Sequence, residues 1–415
     1  MEQRGLNQPR TLGRRFLCDC RPEGFSLSSL RMTKGKKVLL GMSGGVDSSV
    51  AAVLLLEQGF EVVGAFMKNW SEKTDRDGSS GDCPADDQGY GQIGECSWRT
   101  ERRDAMRVAS QLGIPFLTFD FEDKYRANVY EYMLAEYQAG RTPNPDVLCN
   151  KYMKFGFFLE EADKLGCDFV ATGHYARVHV DDRDVAHLLA GVDSNKDQTY
   201  FLCQLNQDQL RRALFPIGHL LKPEVREIAR THKLSVAEKK DSQGICFVGK
   251  VDMVDFLRER IPEREGDIIT TDGRLIGKHR GYMYYTIGQR GGLGVGGGTP
   301  YYVVERRPET NEVIVAVGEE DPRLYRTELT ATNLTETIPG NFTKYAGQKI
   351  HARIRYRQPL GVCHFEPSPI YGGVGGGNEG LRVTFDIPQR AVAPGQFIAF
   401  YVGDELIGSG IISVK

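Results

Sequence analysis

Apolar and polar positions alternate along the first half of the chain as they do in successive strands and helices. Short apolar runs predict strands at 38–40, 61–67, 115–119 and 168–172. Helical patterns occupy 50–56, 100–112, 122–139 and 152–165, and a glycine follows each of them. Strands that alternate with helices favour a doubly wound parallel sheet of the α/β class, with ligands outside the carboxyl ends of the strands.

The pattern changes after about residue 262, where short strands and turn residues replace the helices. We expect a small β-rich central domain over 263–325 and a C-terminal β-barrel over 326–415. Residues 1–33 carry several arginines but no apolar stretch, so they are not a secretory signal, and we expect a disordered extension there. The parallel sheet is then assigned to a domain over 34–262, which carries the candidate chemistry.

Composition narrows the partners and the compartment. The chain has 415 residues and a net charge of −2, so any RNA must be held by local basic patches. It contains no run of eighteen apolar residues, which predicts no membrane span. Nine scattered cysteines argue against a secreted disulfide scaffold and for a reducing compartment, and we expect a cytoplasmic protein.

The most informative stretch is Gly-Met-Ser-Gly-Gly-Val-Asp-Ser-Ser at 41–49, between a predicted strand and a predicted helix. Backbone N–H groups at such a helix start can hold a phosphate. No lysine follows the glycines, so this is not a Walker A loop. Ser43 and Ser48 supply hydroxyl groups instead, and Asp47 is placed to face a metal ion or the helix start. The pattern resembles the PP-loop of ATP pyrophosphatases; the alternative is an ordinary turn that is rich in glycine and serine.

Two cysteines stand out by their context. Cys149 follows a stretch with two prolines, which predicts an irregular loop over 141–150 that presents the thiol next to Asp146. Cys246 lies in a loop with Gly244 and Gly249 on either side, which permits close approach of a partner to the sulfur. The alternative for both is burial as small hydrophobic residues. Neither has the spacing of a zinc ligand, so no metal site is predicted in the protein itself.

Six motifs occur in a fixed order along the chain: Ser43-Gly-Gly-Val-Asp-Ser48, Phe66-Met-Lys-Asn-Trp70, Thr142-Pro-Asn-Pro-Asp-Val-Leu-Cys-Asn150, Ala171-Thr-Gly-His-Tyr-Ala-Arg177, Lys196-Asp-Gln-Thr-Tyr-Phe201 and Gly244-Ile-Cys-Phe-Val-Gly249. Together they resemble the tRNA-specific 2-thiouridylase family of the PP-loop superfamily, from about residue 35 to the C-terminus. The resemblance implies an enzyme that replaces the 2-oxygen of the anticodon wobble uridine by sulfur. It also implies ATP with Mg²⁺, a persulfide-carrying donor protein, and the tRNAs for Lys, Glu and Gln.

The resemblance further implies roles for individual residues. Cys246 would receive sulfur as a persulfide, and Cys149 would release it and leave a Cys149–Cys246 disulfide. Asp146 would be a proton donor or acceptor at the flipped-out uridine, beside Asn144 and Pro145. The ATP contacts would be Gly41, Met42, Ser43, Gly44, Gly45, Val46, Asp47, Ser48, Met67 and Gly173. The other tRNA contacts would be His174, Lys196, Asp197, Gln198, Arg355, Tyr356 and Gln396.

A second indication of RNA comes from His-Ala-Arg-Ile-Arg-Tyr-Arg at 351–357. If this is one strand, its period of two places His351, Arg353, Arg355 and Arg357 on one face. Such a row suits a phosphate backbone. The alternative is a solvated edge strand.

Two other functions compete with tRNA thiolation. One is a PP-loop enzyme that activates a small molecule, as argininosuccinate or NAD synthases do, which leaves Cys149, Cys246 and the barrel without a role. The other is a non-catalytic RNA-binding protein, which the intact glycine-rich loop at 41–48 disfavours.

Overall fold

The computed structural model describes residues 35–71, 97–240, 257–258, 260–296, 298–369 and 379–413. Cys246 and the extension 1–33 lie outside these residues. The predictions made for them therefore stay predictions.

A five-stranded parallel sheet forms the first half of the structure. Its strands are β1 (Lys37–Gly41), β2 (Glu61–Lys68), β3 (Phe116–Asp120), β4 (Phe169–Thr172) and β7 (Ala213–Leu214), in the order β3-β2-β1-β4-β7. Alternate residues of β1 enter two different cores, with Val38 and Leu40 on one face and Leu39 on the other. Both faces are therefore covered, and the predicted doubly wound α/β sheet is confirmed.

Helices join these strands. They are α1 (Val46–Glu57), α2 (Ser97–Leu112), α3 (Glu122–Tyr125), α4 (Glu131–Gln138), α5 (Pro145–Leu148), α6 (Phe158–Lys164), α7 (Gln207–Arg211) and α8 (Lys222–Thr231). The π-helical segment Arg126–Tyr130 connects α3 to α4, and a second, Cys149–Phe157, connects α5 to α6. Gly59, at φ +84°, follows α1, and this left-handed backbone geometry is easily adopted by glycine.

The predicted irregular loop over 141–150 is wrong in its second half, because helix α5 begins at Pro145. Proline is compatible with the first helical position, where its missing N–H would have no helical partner. Asn144 caps this helix by accepting a hydrogen bond from Val147 N at 3.4 Å. Asp146 and Cys149 therefore lie on the first turns of a helical segment, and the helix predicted from 152 starts seven residues earlier.

The central part of the chain forms a small mixed sheet. Its strands are β8 (Gly266–Thr270), β9 (Leu275–His279), β10 (Tyr301–Arg307) and β11 (Glu312–Val317), in the order β10-β11-β8-β9. The β8–β11 pair is parallel and the other two pairs are antiparallel. This is the small β-rich module that the sequence predicts; its predicted boundaries at 263 and 325 stay predictions.

Six antiparallel strands close the C-terminal barrel, because its first strand pairs with its last. They are β12 (Tyr325–Glu336), β13 (Ile350–Arg353), β14 (Gly361–Pro369), β15 (Glu379–Arg390), β16 (Phe397–Val402) and β17 (Glu405–Ser413). The short helix α9 (Asn341–Tyr345) follows β12. The predicted barrel is confirmed.

A hairpin from the first half of the chain extends this barrel sheet. Strands β5 (Ala176–Val180) and β6 (Ala186–Ala190) pair with each other, and β6 also pairs with β17 through Leu188 and Leu406. The sequence pattern did not predict this hairpin. Among the described residues, no helix is both long and apolar enough to cross a membrane.

Candidate nucleotide and sulfur site

The glycine-rich loop joins the carboxyl end of β1 to the start of α1. Gly45 is the N-cap and its position carries no side-chain cap, so the N–H groups at this helix start are not capped by a side chain. Ser48 Oγ accepts from Ser43 N at 3.2 Å and lies 3.4 Å from Ser43 Oγ. The loop is therefore folded around hydroxyl groups and backbone amides, the groups that hold an anion at a helix start.

Two glycines at this site have no room for a side chain. Gly44 has φ +72°, and a Cβ there would lie 2.2 Å from the carbonyl oxygen of Glu101. A Cβ on Gly173 would lie 2.6 Å from Ser48 N, so the backbone after β4 passes directly against the first turn of α1. Gly41 is similarly close to Met67, whose Cε would lie 3.1 Å from its Cβ. The structure thus places Met67 beside Gly41 and Gly173 beside Ser48, while the ATP contacts that the resemblance implies for these residues stay predictions.

Asp47 is held by two residues that the sequence did not single out. Lys222 Nζ, at the start of α8, lies 2.7 and 2.9 Å from the two carboxylate oxygens of Asp47. The Tyr175 hydroxyl donates to Asp47 Oδ1 at 2.9 Å. Lys222 is 11% exposed. A lysine therefore does reach the loop, but from a helix far along the chain.

A second lysine contacts the loop at Gly44. Lys239 Nζ donates to the Gly44 carbonyl at 3.0 Å and to Asp104 at 2.7 Å. Burial is the main cause that raises the pKa of the nearby Glu101, and Lys239 lowers it in part. Lys239 is one of the last described residues before the segment that contains Cys246.

Cys149 is buried, at 1% exposure, near the carboxyl end of β2. Asn69, which follows β2, points its amide Nδ2 at Cys149 Sγ across 4.0 Å. Since β1 and β2 are adjacent parallel strands, the nucleotide loop and Cys149 lie at the same edge of one sheet.

Burial raises the pKa of the Cys203 and Cys363 thiols to about 12, which keeps these two cysteines protonated.

The barrel reaches the residues before Cys149. Gln396 Nε2 donates to the carbonyls of Thr142 and Pro143 at 3.0 and 3.1 Å, and Gln396 Oε1 lies 3.4 Å from Asn144 Nδ2. Gln396, one of the predicted tRNA contacts, therefore braces the chain up to Asn144, directly before Pro145. The RNA contacts of all three stay predictions.

His174 is brought to the site but is 7% exposed. Its Nδ1 lies 2.7 Å from Thr172 Oγ1, and its Nε2 lies 3.4 Å from Lys154 Nζ. Burial, followed by the charge of Lys154, holds the pKa of His174 well below its usual value. The ring is therefore neutral near pH 7, and its predicted tRNA contact stays a prediction.

The segment Lys196 to Gln198 links the domain to the barrel. Asp197 is 3% exposed, and its carboxylate accepts from Gly191 N at 3.1 Å and pairs with Arg353 at 3.2 Å. Gln198 Oε1 accepts from Tyr175 N at 3.0 Å, and Lys196 is half-buried. The side chain of Asp197 is thus engaged inside the protein, and the RNA contacts predicted for these three residues remain untested.

The predicted row of arginines is wrong, because strand β13 ends at Arg353 and the chain then turns. Arg353 points inward to Asp197. Arg355 Nη2 donates to the Ile287 carbonyl at 3.0 Å and to the Ala391 carbonyl, and Arg357 has φ +62°. The expected period of two does not hold, since four of these seven residues are not in a strand. Tyr356 packs on Phe201 at 4.4 Å between ring centroids.

Taken together, the parallel sheet and its uncapped glycine-rich loop define a nucleotide-binding protein with two β modules attached. The family model described as the tRNA methyl transferase HUP domain matches residues 36–250. The tRNA methyl transferase PRC-barrel domain matches 254–317, and the aminomethyltransferase beta-barrel domain matches 339–412.

Full-length relatives are named for thiolation. The chain is 47% identical to the tRNA-specific 2-thiouridylase MnmA of Streptococcus mutans, over 91% of this chain and 95% of the relative. It is 46% identical to the enzyme of the same name from Lacticaseibacillus paracasei, over 91% and 94%. The chain belongs to the tRNA-specific 2-thiouridylase family. A solved 4-thiouridine synthetase–RNA complex with bound ATP is 16% identical over 55% of this chain and 50% of that chain, and its TM-score of 0.30 is too low to carry an argument.

Proposed function

We propose that this chain is an ATP-dependent tRNA-uridine 2-sulfurtransferase that converts the anticodon wobble uridine into 2-thiouridine. The observation that supports it most is the placement of two different kinds of chemistry at one sheet edge. A phosphate-type loop follows β1, and Cys149 contacts the residue after β2. A small-molecule adenylating enzyme has no need of the second group, and a non-catalytic RNA-binding protein has no need of either.

The residues of the loop fit a nucleoside triphosphate. The start of α1 carries no side-chain cap, and close backbone packing at Gly44 and Gly173 leaves no side chain over it. ATP supplies the adenylation of the uridine 2-oxygen, which turns a very poor leaving group into AMP. Backbone amides at 44–48 and the hydroxyls of Ser43 and Ser48 would hold the phosphates. Asp47 would hold the Mg²⁺ that accompanies ATP.

Sulfur transfer would then use two cysteines. The terminal sulfur of a Cys246 persulfide attacks C2 of the activated base, and AMP leaves with the former 2-oxygen. The Cys149 thiolate attacks Sγ of Cys246 and breaks the sulfur–sulfur bond, so the transferred sulfur stays on C2 as the thiocarbonyl. The products are 2-thiouridine, AMP, pyrophosphate and a Cys149–Cys246 disulfide, which a cellular thiol must reduce before the next turnover.

The partners follow from this chemistry. The base must leave the anticodon stack to reach a buried thiol, which agrees with the 1% exposure of Cys149. The sulfur comes from a persulfide-carrying donor protein, and the tRNAs proposed are those for Lys, Glu and Gln.

The test is a reconstituted reaction. Purified protein, ATP, Mg²⁺, an unmodified tRNA transcript for Glu and a chemically generated persulfide donor should yield 2-thiouridine by nucleoside mass spectrometry. AMP and pyrophosphate should form in equal amounts only when tRNA is present. Release of pyrophosphate without thiolated tRNA, in favour of an amide or amine product, would contradict the proposal.

A further inference from the structure

Asn69 has a buried polar atom that has no partner among the described residues. The residue is 1% exposed, and among the residues that the structure describes no donor reaches its Oδ1. Buried side-chain oxygens are almost always hydrogen-bonded, because an unpaired one is destabilising. Exchanging the amide oxygen and nitrogen does not remove the problem, since an unpaired donor would take the place of the unpaired acceptor.

The unpaired atom lies beside the reacting sulfur. Asn69 Nδ2 is 4.0 Å from Cys149 Sγ, and Oδ1 is bonded to the same carbon, so it is within about 7 Å of the sulfur. Trp70 packs on Tyr130 with ring centroids 5.0 Å apart and fixes the chain that carries Asn69. The amide is therefore held rigidly at the place where the proposed chemistry occurs.

We propose that Asn69 reads the uracil edge by accepting a hydrogen bond from the base N3–H through Oδ1. This rests on the proposed function. N3 is bonded to C2, the atom that receives sulfur next to Cys149. Since Oδ1 is within about 7 Å of Cys149 Sγ, a base that donates to it from N3 at about 2.9 Å lies at the cysteine that releases the sulfur in the proposed reaction.

The contact would select uridine. Uracil carries a hydrogen on N3, whereas N3 of cytosine is an acceptor and would face the Asn69 oxygen with no hydrogen between them. A site built to bond a substrate N–H rejects an analogue that lacks it far more strongly than a hydrophobic pocket rejects a size change. Asn69 is thus a specificity-determining residue.

The probes are anticodon stem–loop RNAs with uridine, 3-methyluridine or cytidine at the target position. We expect the wild-type protein to thiolate uridine and to reject the other two. Asn69→Ala should lower kcat/KM for uridine at least about tenfold, and the ratio of the binding affinity for the uridine RNA to that for the 3-methyluridine RNA should narrow. Asn69→Asp retains an oxygen that can accept from N3–H. Its ratio of affinities for the uridine and 3-methyluridine RNAs should therefore stay as in the wild type, even if its thiolation rate falls.

Asn150→Ala is the matched control, since Asn150 also has a buried Oδ1 without a described partner but donates to the Phe201 carbonyl at 3.1 Å. The ratio of its affinities for the uridine and 3-methyluridine RNAs should equal that of the wild type. ATP affinity, measured by calorimetry on each variant, reports that the nucleotide loop is folded. If Asn69→Ala preserves the ratio, or changes only the pH profile of Cys149 alkylation, the inference is overturned. If the wild-type protein fails to thiolate uridine at all, the proposed function fails instead.

Discussion

Lys222 Nζ lies 2.7 Å from Asp47 Oδ1, although 175 residues separate the two in the sequence. The carboxylate stands in a loop that is otherwise built for anions, where it would repel phosphate. The ammonium group offsets this charge and adds a donor that can turn toward a nucleotide. The chain therefore supplies from α8 the cation that its glycine-rich loop lacks.

Replacement of this lysine should weaken nucleotide binding. We expect Lys222→Met to lower ATP affinity roughly 10- to 100-fold, as the loss of a hydrogen bond to a charged group does. Calorimetric titration with ATP measures it. Lys36→Met is the control, because Lys36 pairs with Asp168 at 2.7 Å on the exposed surface and should leave affinity unchanged. Unchanged ATP affinity together with a lower melting temperature would make Lys222 only a structural ion pair.

The two cysteines should separate by persulfide mass spectrometry. Cys246→Ser should form no persulfide from any donor, whereas Cys149→Ser should load Cys246 and give no thiolated tRNA. Both variants should still release pyrophosphate with tRNA, because activation uses the separate loop. Cys203→Ala should behave as the wild type, since burial raises the pKa of that thiol to about 12. A persulfide that persists in Cys246→Ser but not in Cys149→Ser would reverse the two roles.

Arg355→Ala tests whether this side chain stabilises the fold, contacts the RNA, or does both. Loss of the bonds to the Ile287 and Ala391 carbonyls should lower the melting temperature. The tRNA contact predicted from the sequence should also reduce the slope of log affinity against log salt by about one unit. Filter binding at several salt concentrations measures the slope. An unchanged slope with reduced stability would limit Arg355 to joining the central module to the barrel.

Stability should fall on mild acidification because of His174. Burial lowers its pKa in the folded state below the ordinary value of 6.5, so the unfolded chain binds the extra proton first. The contribution of neutral His174 to the free energy of unfolding is fully present above pH 6.5. It is lost, by up to about 1.4 kcal/mol per pH unit, as pH falls further. Urea unfolding of the wild type and of His174→Asn between pH 7.5 and 5 compares the two slopes. Equal slopes would show that His174 does not titrate as described.

Local patterns were enough to predict the parallel sheet and the loop at its edge. The strand before Gly41, the glycines and the helix after Val46 are contiguous, so each signal reinforces the next. Lys222 and Tyr175 were not predictable in this way, because nothing near them in the sequence refers to Asp47. Only the folded chain brings them within hydrogen-bonding distance.

One error was a missed local helix-start signal, and the other came from tertiary context. Two prolines predicted an irregular loop, yet Pro145 fits the first helical position once Asn144 caps it. The arginine row assumed one uninterrupted strand, but the chain turns after Arg353, which pairs with the buried carboxylate of Asp197. Asp197 is not visible in a short window of sequence around Arg353, whereas the Asn-Pro pair at 144–145 is itself a local helix-start signal.

The β5–β6 hairpin limits where the chain can be truncated and how far its barrel can evolve separately. Through the pairing of Leu188 with Leu406, and the contact of His187 Nδ1 with Glu405 Oε1 at 2.7 Å, one sheet runs from the nucleotide-binding part into the barrel. A chain truncated before the barrel would leave β6 as an open edge, with unpaired backbone groups that invite aggregation. The barrel therefore cannot be replaced by an unrelated domain without loss of this pairing. Its last strand, β17, and the β5–β6 hairpin must change together in evolution.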